Sequence, residues 1–206
     1  MTNKTKISKG FQTVVPSSIR KKFSVGPGDL IEWVPSEGGV ELKFRKKVSL
    51  DEITDFVDTK KKPMLWNLKR KHNGDDYLIF LDSSFFIALA LKNDHWHLQA
   101  KKLASMVEES DKTVSDLVLS ESVTMVGSLG GGKQGKLIYD YLMDNCQIIH
   151  TDQEICDNSI QIYLKYDGVL SFADSVSVEL MNQNKIKKIV SFDSNFDKIN
   201  NIERVY

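Results

Sequence analysis

Residues 77–91 read Y-L-I-F-L-D-S-S-F-F-I-A-L-A-L, an apolar run with one carboxylate, Asp82, near its centre. Leu78 to Leu81 form a short continuous apolar segment, the pattern of a strand buried on both faces of a parallel sheet. From Phe85 the run reads as a helix, with Ser83 or Ser84 free to cap it by accepting a backbone N–H. Asp82 therefore falls where a central strand hands over to a helix. That carboxyl edge is where open parallel sheets bind ligands and metals, so Asp82 is either a turn residue or a ligand.

Downstream of this stretch, strands and helices alternate. Helices are predicted over about 94–109, 115–126, 133–143, 152–166 and 171–181, with strands over 147–150, 187–192 and near 204–206. The alternation specifies an α/β domain over residues 76–206, a parallel sheet with helices on both faces. Upstream, short alternating segments at 4–8, 13–15, 30–34 and 40–44 are separated by Lys9-Gly10, Pro27-Gly28 and Glu37-Gly38-Gly39. They describe a small β domain over residues 1–47 with one helical turn at 17–23. Between the two, residues 48–75 carry one amphipathic pattern (Leu50, Ile53, Phe56, Val57), a lysine run, Pro63 and a polar exit through Asn73-Gly74. This is the composition of a linker with some helix in it.

The formal net charge is zero, yet its distribution is not even. Of 28 basic and 28 acidic residues, 16 and 9 lie in residues 1–75 and 12 and 19 in residues 76–206, giving +7 and −7. The first part is attracted to polyanions; the second repels them unless cations intervene. No apolar stretch reaches the ~18 residues of a membrane span, and Met1 to Lys4 lead into no signal-peptide apolar region, so a cytoplasmic protein without membrane contact is expected. Cys146 and Cys156, the only cysteines, have no partner pattern for zinc and are expected to be core thiols.

Three further acids share the context of Asp82. Glu121 interrupts an otherwise apolar or small helix, Asp174 stands near a helix start, and Asp193 follows an apolar strand. Each has an ordinary structural reading as well: Ser171-x-x-Asp174 fits a capping box, Asp193 an Asx turn, and Glu121 a half-exposed face. Thr151-x-x-Glu154 also fits a capping box, and there the structural reading suffices. Four carboxylates gathered in a packed setting require cations, and a divalent metal supplies them.

The segments L-D-S-S (81–84), V-L-S-E-S (118–122), L-S-F-A-D-S-V-S-V (170–178) and F-D-S-N-F-D (192–197) resemble, in order and approximate spacing, the PIN-domain nucleases, especially the VapC-type toxins. The resemblance implies a metal-dependent endoribonuclease whose acidic cluster is Asp82, Glu121, Asp174 and Asp193, with Ser83 or Ser191 in support. Oxygen ligands of this kind suit Mg²⁺ or Mn²⁺.

Residues 4–47, including K-I-S-K-G-F-Q-T-V-V-P-S-S-I-R-K-K-F, resemble the swapped-hairpin domain of AbrB- and MazE-type regulators, which many VapB antitoxins carry. That family forms an interlocked dimer and binds DNA through basic side chains near its first hairpin and short helix, here Lys6, Lys9, Arg20 and Lys21; Gln12 stands where DNA-binding members often carry Arg. Dimerisation implies interface or core roles for Val14, Val15, Ile19, Leu30, Ile31 and Trp33. By the same analogy residues 48–75 occupy the place of an antitoxin tail, with Trp66 filling a groove and Arg70 pairing with the carboxylates to hold the enzyme in check. The alternative is a DNA-binding regulator whose PIN domain binds or oligomerises without cutting.

Two features are set aside. Residues 127–134 nearly spell a phosphate-binding loop but lack Ser or Thr after Lys133 and follow a helix, so an interhelical loop is expected. His95 and His97 lie at a helix start far in sequence from the acids and receive no catalytic role.

Overall fold

The structure, a computed structural model, describes residues 4–54 and 78–206. The chain divides into two compact units, Met1–Lys47 and Val48–Tyr206.

The first unit is built on an antiparallel hairpin, β1 (Leu30–Ser36) and β2 (Gly39–Arg45), preceded by a short helix, α1 (Ser17–Phe23). Gly28, at φ +89°, and Gly39, at φ +151°, take backbone conformations that a side chain would strain. Asp29 closes the turn before β1 by accepting from Gly26 N at 2.7 Å and pairing with Lys46 at 2.7 Å. The predicted strands at 4–8 and 13–15 lie across a turn, with Ser8 N donating to Gln12 O at 2.8 Å and Thr13 Oγ1 to Thr5 Oγ1 at 2.9 Å, but form no ladder. None of residues 4–47 is fully buried.

The second unit holds a five-stranded parallel sheet in the order β5-β4-β3-β6-β7. Its strands are β3 (Leu78–Leu81), β4 (Asp111–Ser115), β5 (Cys146–Ile149), β6 (Lys188–Val190) and β7 (Glu203–Val205). The helices are α2 (Ser83–Ala90), α3 (His97–Glu109), α4 (Asp116–Gly130), α5 (Gly132–Asn145), α6 (Gln153–Lys165) and α7 (Phe172–Gln183). The first strand is thus the central one. The chain builds outward on one side through β4 and β5, then crosses to β6 and β7 on the other, which places the switch point between β3 and β6, where such sheets open a crevice at their carboxyl edge.

Strand β4 is absent from the sequence reading. Its residues D-K-T-V-S carry one aliphatic side chain, yet Thr113, Val114 and Ser115 are buried, because the strand lies between two neighbours whatever its composition. Residues 48–54, the start of the stretch read as a linker, pack into this second unit. Leu50 is 2% exposed and Ile53 fully buried. Val48 N donates to Asp144 Oδ2 at 3.1 Å, Asn145 Nδ2 to Val48 O at 2.9 Å, and Leu50 N to Glu108 Oε1 at 3.1 Å. Glu108 lies in the last turn of α3, which leads into β4, and Asn145 immediately precedes β5, so this strap lies at the amino ends of those strands.

The glycines at 127–135 form no flexible loop: α4 runs to Gly130, Gly131 turns the chain at φ +100°, and α5 starts at Gly132. Their purpose is close packing of the two helices. A Cβ on Gly135 would stand 3.0 Å from Val123 O and 3.1 Å from Gly127 Cα, both backbone atoms. Gly135→Ala is therefore expected to cost about 1–3 kcal/mol of overpacking, more than the roughly 1 kcal/mol of helix propensity it gains. Gly132→Ala, whose Cβ meets nothing within 4 Å, is the neutral control in the same urea titration.

Candidate active site at the carboxyl edge of the sheet

Asp82 leaves β3 in extended conformation and is itself the N-cap of α2, so neither Ser83 nor Ser84 has that task. It is 6% exposed. Ser84 Oγ donates to Asp82 Oδ2 at 2.5 Å and Ser191 Oγ to the same oxygen at 2.7 Å, leaving Oδ1 clear of both hydroxyls. Ser191 comes from the end of β6 and is fully buried. The Asp82 N–H donates to Val190 O at 3.1 Å, locking the two strand ends together. Burial raises the Asp82 pKa; the hydrogen bonds from Ser84 and Ser191 act in the opposite sense but do not cancel it.

The other acids arrive on separate elements. Asp193, two residues beyond Ser191, opens a 3₁₀ turn (Ser194–Lys198), accepting from Asn195 N at 2.8 Å, and its own N–H donates to Ser191 Oγ at 3.0 Å. Asp174 stands in the first turn of α7 in a reciprocal capping box: its N–H donates to Ser171 Oγ at 3.0 Å and its Oδ2 accepts from Ser171 N at 2.9 Å. The structural role anticipated for Asp174 is thus realised, and so is the Asx turn of Asp193. The Asp174 pKa is raised, first by burial and then by the charges of Asp82 and Asp193. Asp174 therefore lies within electrostatic reach of both Asp82 and Asp193. Glu121 joins them through Ser83, whose Oγ donates to Glu121 Oε2 at 2.9 Å.

Only Asp82 is buried. Glu121, predicted on a packed helix face, is exposed, and Asp174 and Asp193 are half-buried, so the acids line an open edge. Thr151 does not cap α6; Asp152 does, while Thr151 Oγ1 donates to Asp116 Oδ1 at 2.6 Å. His97 is buried with its Nδ1 2.8 Å from Ala88 O, a packing role.

Two groups at this edge escaped the sequence reading. Ser84 bonds Asp82 and also accepts from Phe192 N at 3.0 Å, tying the β3 and β6 ends a second time. Arg204, its side chain only 5% exposed, forms a two-bonded pair with Asp197 at 2.7 and 2.6 Å and donates to Ser191 O at 3.3 Å. The Asp197 carboxyl is held below its usual range by that pairing. A serine within a helix start and an arginine in a terminal strand carry no sequence signal of their partners.

The donor set suits a hard divalent cation: four carboxylates, with Asp82, Glu121 and Asp174 each oriented through one oxygen by a serine. Among the described residues, no three acidic, histidine or cysteine side chains stand close enough to hold an ion as they are placed. In the first unit, Lys6, Lys9, Arg20 and Lys21 are all exposed; Arg20 and Lys21 lie on α1. Trp66 and Arg70 lie outside the described residues. No helix among the described residues is long and apolar enough to cross a membrane.

The PIN domain family model matches residues 79–202. No curated protein matches the chain. VapC20 of Mycobacterium tuberculosis, a sarcin-ricin loop cleaving toxin, superposes with a TM-score of 0.54 at 23% identity over 58% of this chain and 92% of its own. That likeness concerns the fold. A toxin-antitoxin complex from Klebsiella pneumoniae is more distant, with a TM-score of 0.48 at 13% identity over 61% of this chain and 95% of its own.

Proposed function

The chain belongs to the PIN domain family, and on that premise we propose that it is a metal-dependent endoribonuclease of the VapC toxin type, fused in cis to an antitoxin-like module that dimerises and binds DNA. The observation that carries the nuclease reading is the arrival of Asp82, Asp174 and Asp193 on three different elements, the end of β3, the first turn of α7 and the turn after β6, beside the switch point of the sheet. Asp82, Glu121, Asp174 and Asp193 are the groups that would hold Mg²⁺ or Mn²⁺. Such an ion, when bound, lowers the pKa of a water and neutralises charge on the scissile phosphate.

The chain's own contribution is orientation. Ser84 and Ser191 grip one oxygen of Asp82 and leave the other clear of their hydroxyls, and Ser83 grips one oxygen of Glu121. Arg204 is spent on Asp197 and on the Ser191 carbonyl, so it steadies the loop that carries Asp193. The deciding experiment mixes the full chain with single-stranded RNA of mixed sequence, with Mn²⁺, with Mg²⁺ or with chelator. Cleavage that appears only with metal supports the reading; intact RNA in every condition overturns it.

The first unit supports the second part of the proposal by what it fails to bury. Val15, Ile19, Leu30 and Ile31 are half-buried, while Ile7 is 65%, Val14 72% and Trp33 57% exposed. A second copy covers these side chains in the interlocked arrangement, and Lys6, Lys9, Arg20 and Lys21 then face a polyanion such as DNA. The full chain is expected to be a dimer or larger at micromolar concentration, with Trp33→Asp shifting it toward monomer. A monomeric mass by light scattering for the unaltered chain counts decisively against the arrangement.

A further inference from the structure

Trp96 sits in the turn before α3 and is fixed by its backbone: its N–H donates to Asp94 Oδ1 at 2.8 Å and its C=O accepts from Ala100 N at 2.8 Å. Its indole lies parallel to the Phe192 ring, with centroids 5.2 Å apart and planes inclined by 5°. Phe192 is the residue between Ser191, which bonds Asp82, and Asp193. It is 8% exposed and anchored through its N–H to Ser84 Oγ. Trp96 itself stays 37% exposed, with His95 packed at 79° to it. A large side chain that keeps 37% of its surface exposed while laid flat on a fixed aromatic floor offers a preorganised surface for another flat ring.

The same rim carries a second exposed aromatic. Tyr206 is 52% exposed, and the Arg204 guanidinium lies 3.7 Å from its ring centroid. Gln99, on the α3 turn that follows Trp96, donates to Tyr206 O at 2.9 Å. Through Phe192 and Arg204, both aromatics are tied to the Ser191 strand end and so to the acids.

We infer that Trp96, seated on Phe192, is a substrate-binding residue: it stacks an unpaired base of single-stranded RNA and so holds the strand beside the acid cluster. The inference rests on the ribonuclease reading above. Stacking on an aromatic face requires a base free of its own partners and is tolerant of sequence, so single strands are bound and continuous duplex is not.

The test measures kcat and KM of the full chain with Mn²⁺ on single-stranded RNA, for wild type, W96F, W96L and W96M. A melting temperature within about 3 °C of wild type qualifies each variant, and Met stands in where Leu fails this. Loss of one base stack predicts a roughly ten-fold rise in KM for W96L with kcat little changed, and recovery of most of it in W96F. A purely structural Trp96 gives equal KM for Leu and Phe, or a fall confined to kcat, and either result overturns the inference. Wild-type protein that cuts RNA while W96L keeps the wild-type KM removes the stacking role alone. Wild-type protein that cuts no RNA removes the ribonuclease reading and this inference together.

Discussion

Asp82→Asn is expected to lower metal-dependent RNA cleavage by at least about 10²–10³-fold, the loss that follows removal of one preorganised electrostatic group from an active site. Asp174→Asn should do the same. The fold survives both changes, since Asn keeps the size of Asp and an acceptor oxygen, for the serine hydroxyls at position 82 and for the Ser171 N–H at position 174. Stability in chelator should be equal or higher. Burial raises the Asp82 pKa, so its ionised form is disfavoured in the folded state and its contribution to stability is lost as pH rises through that raised value. Asn carries no charge to lose. The advantage of Asp82→Asn over wild type is thus expected near neutral pH and should close as the pH falls toward the ordinary carboxylate range, a sign that melting curves at several pH values will check. Undiminished cleavage by both variants would remove the site assignment.

A chain begun at Asp76 should be markedly less stable than one begun at Val48. The second lacks only the hairpin unit; the first also loses Leu50 and Ile53, which fill the core of the second unit, together with backbone bonds to Glu108, Asp144 and Asn145. Ile53→Ala in the full chain isolates the largest part of this effect, with an expected cost of about 2–5 kcal/mol for a fully buried isoleucine. For a unit of this size that corresponds to a fall in melting temperature of roughly 10 °C. Equal melting temperatures for the chains begun at Val48 and Asp76 would show the strap to be dispensable.

What the sequence discloses follows from how its physics is encoded. The central strand is legible in 78–81 because a strand buried on both faces must be apolar throughout, and α5, α6 and α7 because their apolar faces lie within one short window. Strand β4 was not, since its place between β3 and β5 is set by neighbours more than thirty residues away and D-K-T-V-S says nothing of them. The acids were found by their positions at element boundaries. Their environment was not: Glu121 proves exposed, and the serine hydroxyls that orient Asp82 come from both two and 109 residues away. The glycines near 131 misled in the opposite sense, because a glycine that admits a neighbouring helix looks in sequence like one that frees a loop.

The pairing of β3 with β6 has a consequence in time. Asp82 and Ser191 are 109 residues apart in the chain, and a ribosome adding about 5–20 residues per second needs roughly 5–20 s to go from one to the other. Throughout that interval the hairpin unit has already been made, whereas the central strand lacks the neighbour that carries Ser191 and Asp193. A nascent chain therefore carries its amino-terminal module complete well before it can carry an assembled acid cluster, an order of events fixed by topology alone.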